Sequence, residues 1–179
     1  MLLRTLLQAL VSRRRPPLGI HDVSVTRFRV LPTDLDVLNH MNNGVYFSIM
    51  DLGRMDLLIR SGVWAAVKKL GYYPVVSNAT MTFRKSLEPW QRFEIRSRII
   101  GYDEKSVFVE QRFVVDGEIY ARGFMRGRFL KRTGGTVLLP ELSAALGVDA
   151  SEVPLPAWLA RWADDVALPV TRAPAPSDW

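Results

Sequence analysis

Asp34-Leu-Asp36-Val-Leu-Asn-His40-Met-Asn42-Asn43-Gly44-Val-Tyr46 sets two carboxylates, a histidine and a pair of asparagines directly ahead of a helical pattern. Asn43 is the expected N-cap, and a helix should run from about Gly44 to Arg60. Along it Tyr46, Ile49, Met50, Gly53 and Leu57 recur at three- and four-residue spacing, which marks a buried stripe. Gly62 would end that helix, and Val63 to Leu70 reads as a further turn or two. The polar cluster therefore stands beside the free backbone N–H groups of a helix start. That is a setting suited to an anion or a developing oxyanion.

Outward from this stretch the period changes. Val23 to Val30 alternates and predicts a strand closed by Pro32. Beyond Pro74 the pattern repeats every second residue, giving strands over Val75 to Ser86, Arg92 to Gly101, Ser106 to Val115 and Glu118 to Arg132. Asp116-Gly117 is a strong two-residue hairpin signal between the last two. A strand, a long apolar helix and a run of antiparallel strands make an α+β domain, with a five-stranded sheet wrapped around the helix. Three parts are expected: an amphipathic, basic segment over 1–20, the domain proper over 21–135, and an extension over 136–179. The extension should hold one short helix around Pro156 to Asp165 and a mobile, Pro-rich tail.

Of the 179 residues 48% are hydrophobic, enough for a real core rather than disorder. The chain has no cysteine, which excludes disulfides, thiolate nucleophiles and Cys-ligated zinc. Its net charge of +6 could serve a phosphate-bearing ligand, anionic lipid or nucleic acid. Nucleic acid is disfavoured because the arginines are spread over several strands without an aromatic-and-basic motif. Leu2, Leu3, Leu6, Leu7 and Leu10 share one helical face ahead of Arg13-Arg14-Arg15. Residues 1–15 are too short and broken to span a membrane, and no cleavage site for a signal peptide follows. They could instead lie on a membrane surface, or form a terminal helix of no further consequence. The expected location is cytoplasmic, with peripheral membrane contact as the alternative.

A carboxylate before a helix start can activate water or attack a carbonyl, while the helix amides hold the oxyanion. A thioester suits such a site, since a thiol with a pKa of roughly 8.5 leaves as thiolate without a strong general acid. Asp34-Leu-Asp36 followed ten residues later by Tyr46 resembles the 4-hydroxybenzoyl-CoA thioesterase branch of the hotdog fold. Pro74-Val-Val-Ser77-Asn78-Ala is similar to that family's second strand. The same loop also resembles plant acyl-carrier-protein thioesterases, although Leu38 stands where they place an asparagine. Val30 to Asp36, His40-Met-Asn-Asn43, Tyr46 and Leu155-Pro-Ala-Trp158 together are most similar to the thioesterase superfamily member 6 group.

The resemblance implies a hotdog fold, hydrolysis of acyl-CoA or acyl-carrier-protein thioesters without metal or redox cofactor, and a homodimer, with a tetramer as a further step. It also implies the catalytic carboxylate, Asp36, for which the other reading is a loop-capping group. His40 would orient water or bind the thioester carbonyl, or else simply belong to the loop. Asn43 and Gly44 would lend backbone N–H groups to the oxyanion. Tyr46, Met50 and Trp64 are candidates to line an acyl pocket, each with plain core as the alternative. Ser77 and Asn78 follow from the second-strand likeness. Lys105 and Ser106 align with a phosphate-holding turn, although Asp103-Glu104 beside them would repel phosphate. Asp34 reads as scaffolding and Asp51 as a partner for Arg54. A non-catalytic acyl-thioester binding protein on the same fold is the rival reading.

Overall fold

The computed structural model describes residues 2–170 and 173–177, the side chain of Leu2 excepted; the rest of the tail predicted to be mobile lies outside the described residues. Five strands form one antiparallel sheet: β1 (Ser24–Arg29), β2 (Tyr72–Phe83), β3 (Arg92–Tyr102), β4 (Val107–Val115) and β5 (Glu118–Lys131). Their order across the sheet is β1-β3-β4-β5-β2. The β4–β5 hairpin turns on Asp116 and Gly117, with φ of 48° and 84°, the paired positive values that a two-residue turn of this hand requires. Helices α1 (Leu2–Arg14), α2 (Asn43–Arg60), α3 (Val63–Lys69), α4 (Leu139–Leu146) and α5 (Ala157–Asp165) complete the chain.

Helix α2 lies across one face of the sheet, and Tyr46, Ile49, Met50, Gly53 and Leu57 are buried there as their spacing predicts. Leu52 and Asp56 are buried as well, so the covered surface is wider than the stripe. Close approach is made possible at Gly53, where an added Cβ would stand 2.8 Å from Ser97 Oγ and 3.0 Å from Gln111 Nε2. Gln111 is fully buried and is held by the Met50 carbonyl at 2.9 Å and Ser97 Oγ at 2.8 Å, so it has no room to yield. Alanine is favoured over glycine in a helix by about 1 kcal/mol. Overpacking of this kind costs about 1–3 kcal/mol and should win. G53A is therefore expected to lower the urea unfolding midpoint; a raised midpoint would show that the contact relaxes freely.

Two boundaries and one whole helix stand out against the sequence expectation. The N-cap is Asn42, one residue earlier than expected, because its Oδ1 accepts the Gly44 N–H at 2.8 Å. Strand β2 begins at Tyr72 rather than Val75, paired through Tyr72 with Lys131. Helix α4 was not anticipated at all, although Pro140 at its start and Gly147 in the left-handed region after it are the usual boundary signals. Helix α5 lies where a short helix was expected, and its Leu159 and Ala163 pack on Phe108 and Phe124 on the sheet's other face.

Candidate functional site

The loop between β1 and α2 is a tight, self-bonded structure. Leu35 and Met41 bridge across it, the Asp36 N–H meets the His40 carbonyl at 3.0 Å, and Asn42 N–H meets the Asp34 carbonyl at 2.8 Å. Asn39 turns the tip at φ 60°, a value that Asn tolerates better than most residues. Met41 N–H anchors the loop to the Leu87 carbonyl at 2.9 Å.

The two carboxylates of this loop have opposite surroundings. Asp34 is 2% exposed, accepts two hydrogen bonds from the Arg4 guanidinium at 2.7 and 2.9 Å, and accepts a third from Leu31 N–H. It is scaffold, tying α1 to the loop. Asp36 keeps 23% of its side chain exposed. One oxygen accepts the Leu38 N–H at 2.8 Å, and the other faces His40 Nδ1 at 3.5 Å. The carboxylate is fixed in direction yet partly open to solvent.

At the helix start the Gly44 N–H is given to the Asn42 cap, and Val45 N–H to the Asn42 carbonyl. Asn43, at the first helical position, carries the amide that has no carbonyl of its own helix to meet. Gly44 thus serves the cap, and the Asn43 amide is left without an intrahelical partner.

The expected pocket residues are not brought together. Tyr46 is sealed between Phe83 and Phe113, its hydroxyl accepting the Leu87 N–H at 3.3 Å. Burial pushes that hydroxyl above its ordinary pKa. Met50 is fully buried under the sheet against Gly123. Both take the core alternative. Ser77 stands at a β-bulge with its Oγ donating to the Arg126 carbonyl at 3.1 Å, and Asn78 beside it reaches the Val166 carbonyl. Ser106 is 3% exposed and accepts from Arg126 Nε at 3.0 Å, while Asp103 accepts from the same guanidinium at 2.5 Å. Lys105 is exposed, its N–H held by Asp103. This turn is closed on itself by Arg126, so Ser106 has no oxygen turned toward a ligand.

Trp64 does line a cavity. About 230 Å³ of largely apolar space lies between α2, α3, α4 and the sheet, walled by Leu58, Trp64, Val109, Met125 and Leu142 among others. Arg54 stands at its edge, bonded to Gln111 Oε1 at 2.8 Å and to Asp51, the pairing expected from sequence. Burial lowers the Arg54 pKa to about 10, which leaves it charged at neutral pH. Asp36 and His40 do not line this cavity. The loop chemistry and the apolar space are therefore separate features within one chain.

The second histidine, His21, is spent elsewhere: its Nε2 pairs with Tyr102 Oη at 2.8 Å. Among the described residues no three His, Asp or Glu side chains converge as metal ligands. The residue sequence reasoning passed over is Asp56. It is fully buried on α2 and surrounded by Ser12, Ser24, Arg15 and Arg60, and a charged residue inside an apolar stripe was the signal for it.

A single sheet around a long helix, entered by a polar loop, is the hotdog architecture of thioesterase-like proteins. Residues 30–163 match the thioesterase-like superfamily, and the chain belongs to that family. It is 46% identical over 85 residues to the protein THEM6 of Xenopus laevis, covering 48% of this chain and 41% of that one. It is 37% identical over 116 residues to THEM6 of Danio rerio, covering 64% and 57%. The matches thus span about half the length of these relatives. The fold is shared with the YbaW probable thioesterase of Escherichia coli, with a TM-score of 0.65 at 23% identity over 69% of this chain and 96% of that one. A gentisyl-coenzyme A thioesterase structure gives a TM-score of 0.59 at 22% identity, covering 67% and 98%.

Proposed function

We propose that the protein hydrolyses acyl thioesters, with acyl-CoA as the preferred donor class and acyl-carrier protein as the other. The observation that carries this reading is the contrast within the loop: Asp34 is saturated by Arg4, while Asp36 is aimed, partly solvated and free to react. In the reaction Asp36 takes a proton from water, or adds directly to the carbonyl. The Asn43 N–H holds the oxyanion and the C–S bond breaks to release thiolate; the water route gives the acid directly, and the direct route leaves an acyl–Asp36 anhydride that water then hydrolyses to the acid and free Asp36. A helix N-terminus favours the developing oxyanion. His40, 3.5 Å from Asp36, orients the water or the carbonyl.

The apolar cavity would hold the acyl chain, and a homodimer would bring it to the loop. Three features support the dimer. The outer side of the twelve-residue strand β2 pairs with no other strand among the described residues. Val76 on it is 51% exposed, and Val37 and Leu38 beside Asp36 are 100% and 71% exposed. Open edges and apolar loop tips of this kind are normally covered. Light scattering is expected to return twice the 20.3 kDa chain mass.

Thiol release measured across a panel of acyl-CoA chain lengths tests the activity. Turnover above the spontaneous rate is expected; tight binding without turnover would favour a non-catalytic carrier instead. Val109 lines the cavity and is 6% exposed, so V109F should fill it. Its kcat/KM for long acyl chains should fall about tenfold while short chains are spared. An equal loss at all lengths would place the acyl group elsewhere.

A further inference from the structure

Helix α1 packs with its sides reversed relative to an ordinary surface helix. Arg4, Gln8 and Ser12 on it face the protein, and Arg15 just beyond it does the same. Arg4 holds Asp34, Gln8 Nε2 reaches Asp56 at 3.3 Å, Ser12 Oγ donates to Asp56 at 2.7 Å, and Arg15 follows at 3.1 Å. Gln8 and Ser12 are 7% and 1% exposed. The opposite face carries Leu3, Leu6, Leu7, Leu10 and Val11, exposed by 71, 56, 53, 52 and 51%. An amphipathic helix normally turns such a stripe inward. Here the inward side is fixed by charge-assisted bonds to two buried carboxylates, so the helix cannot roll over without stranding them.

We infer that this outward face is a docking surface for an anionic lipid bilayer. Arg14 falls four residues after Leu10 and seven after Leu7, within the apolar face, and Arg13 adjoins it. Both arginines are exposed, and the first acidic residue of the chain is Asp22. Against a protein surface, Arg14 would be buried without a carboxylate from this segment, a costly arrangement. Against phosphate headgroups it is an attraction, while the leucines enter the acyl boundary. Among the described residues no helix is long and apolar enough to cross a membrane. Helix α1 is attached along β1, through the Val25 and Arg29 carbonyls, at the sheet edge opposite β2. A dimer formed through β2 leaves the face free, and the inference stands whether or not the protein is an esterase.

Co-sedimentation with vesicles decides it. The wild-type chain should pellet with vesicles of two parts phosphatidylcholine to one part phosphatidylglycerol, and about tenfold less with phosphatidylcholine alone. R13Q/R14Q should lose that preference. L6E/L10E should remain in the supernatant while keeping its unfolding midpoint, because these side chains touch solvent. The milder L10S should bind measurably less, which serves if the double variant fails to fold. Wild-type protein left in the supernatant with anionic vesicles overturns the inference, as does binding unchanged by L6E/L10E or L10S. A smaller assembly for L6E/L10E by light scattering would also overturn it, by showing that a second copy covers the face.

Discussion

Replacing Asp36 by Asn is expected to lower acyl-thioester turnover by about three orders of magnitude with little change in folding or ligand binding. Asp36 makes no buried ion pair; it accepts the Leu38 N–H through one oxygen and faces His40 across 3.5 Å through the other. An asparagine retains an oxygen for Leu38, so the turn should survive. What disappears is the ionised oxygen that activates water or attacks the carbonyl. Thiol release at saturating acyl-CoA reads the loss, and the unfolding midpoint of D36N reads the control. Turnover equal to wild type would end the Asp36 mechanism. D34N offers the complementary contrast, since Asp34 is held by Arg4 and should register mainly in stability.

The largest expected effect on stability is at Asp56. Its carboxylate is wholly buried and joins three elements: Ser12 and Arg15 at the end of α1, Ser24 on β1, and Arg60 on α2 itself. D56A leaves the Arg60 guanidinium, 8% exposed, and the serine hydroxyls facing a void without an acceptor. Removing one partner from such a network costs about 3–5 kcal/mol, a large part of a domain's stability. Urea unfolding should show it as a much lower midpoint; a shift within error would mean that water replaces the carboxylate.

The pH dependence of this network has a definite sign. Burial alone would raise the Asp56 pKa, but hydrogen bonds from Ser24, Ser12 and Arg60, with the charge of Arg15, bring it below the ordinary 3.8. A carboxylate depressed on folding stabilises fully above the unfolded value, and that contribution is lost as pH falls through the folded value. Wild-type protein should therefore weaken below about pH 4, and D56A should be less sensitive over the same interval.

The secondary elements were legible because each is written in a local period. The α2 stripe, the alternation along β3 and the Asp116-Gly117 turn need only near neighbours. The loop motif was legible for a similar reason: Asp36 and His40 face each other four residues apart, and an asparagine caps the helix that follows, although at Asn42 rather than Asn43. Three site assignments were less so. Tyr46 and Met50 carry side chains suited equally to a pocket wall and to a core, and only the register of α2 against the sheet puts them inside. Ser106 looks available in sequence, yet Arg126, twenty residues away, closes over it.

The sequence by itself determined the α+β pattern and the place of the polar loop, since hydrophobic period and turn chemistry act over a few residues. Tertiary structure alone decided the rest. It paired Asp34, read from sequence as scaffolding, with Arg4, thirty residues distant. It buried Asp56 among partners from α1, β1 and α2, and in doing so turned the leucines of α1 outward. The physical reason is that a buried charge must find its partners, and those partners come from wherever the fold brings them rather than from adjacent positions in the chain.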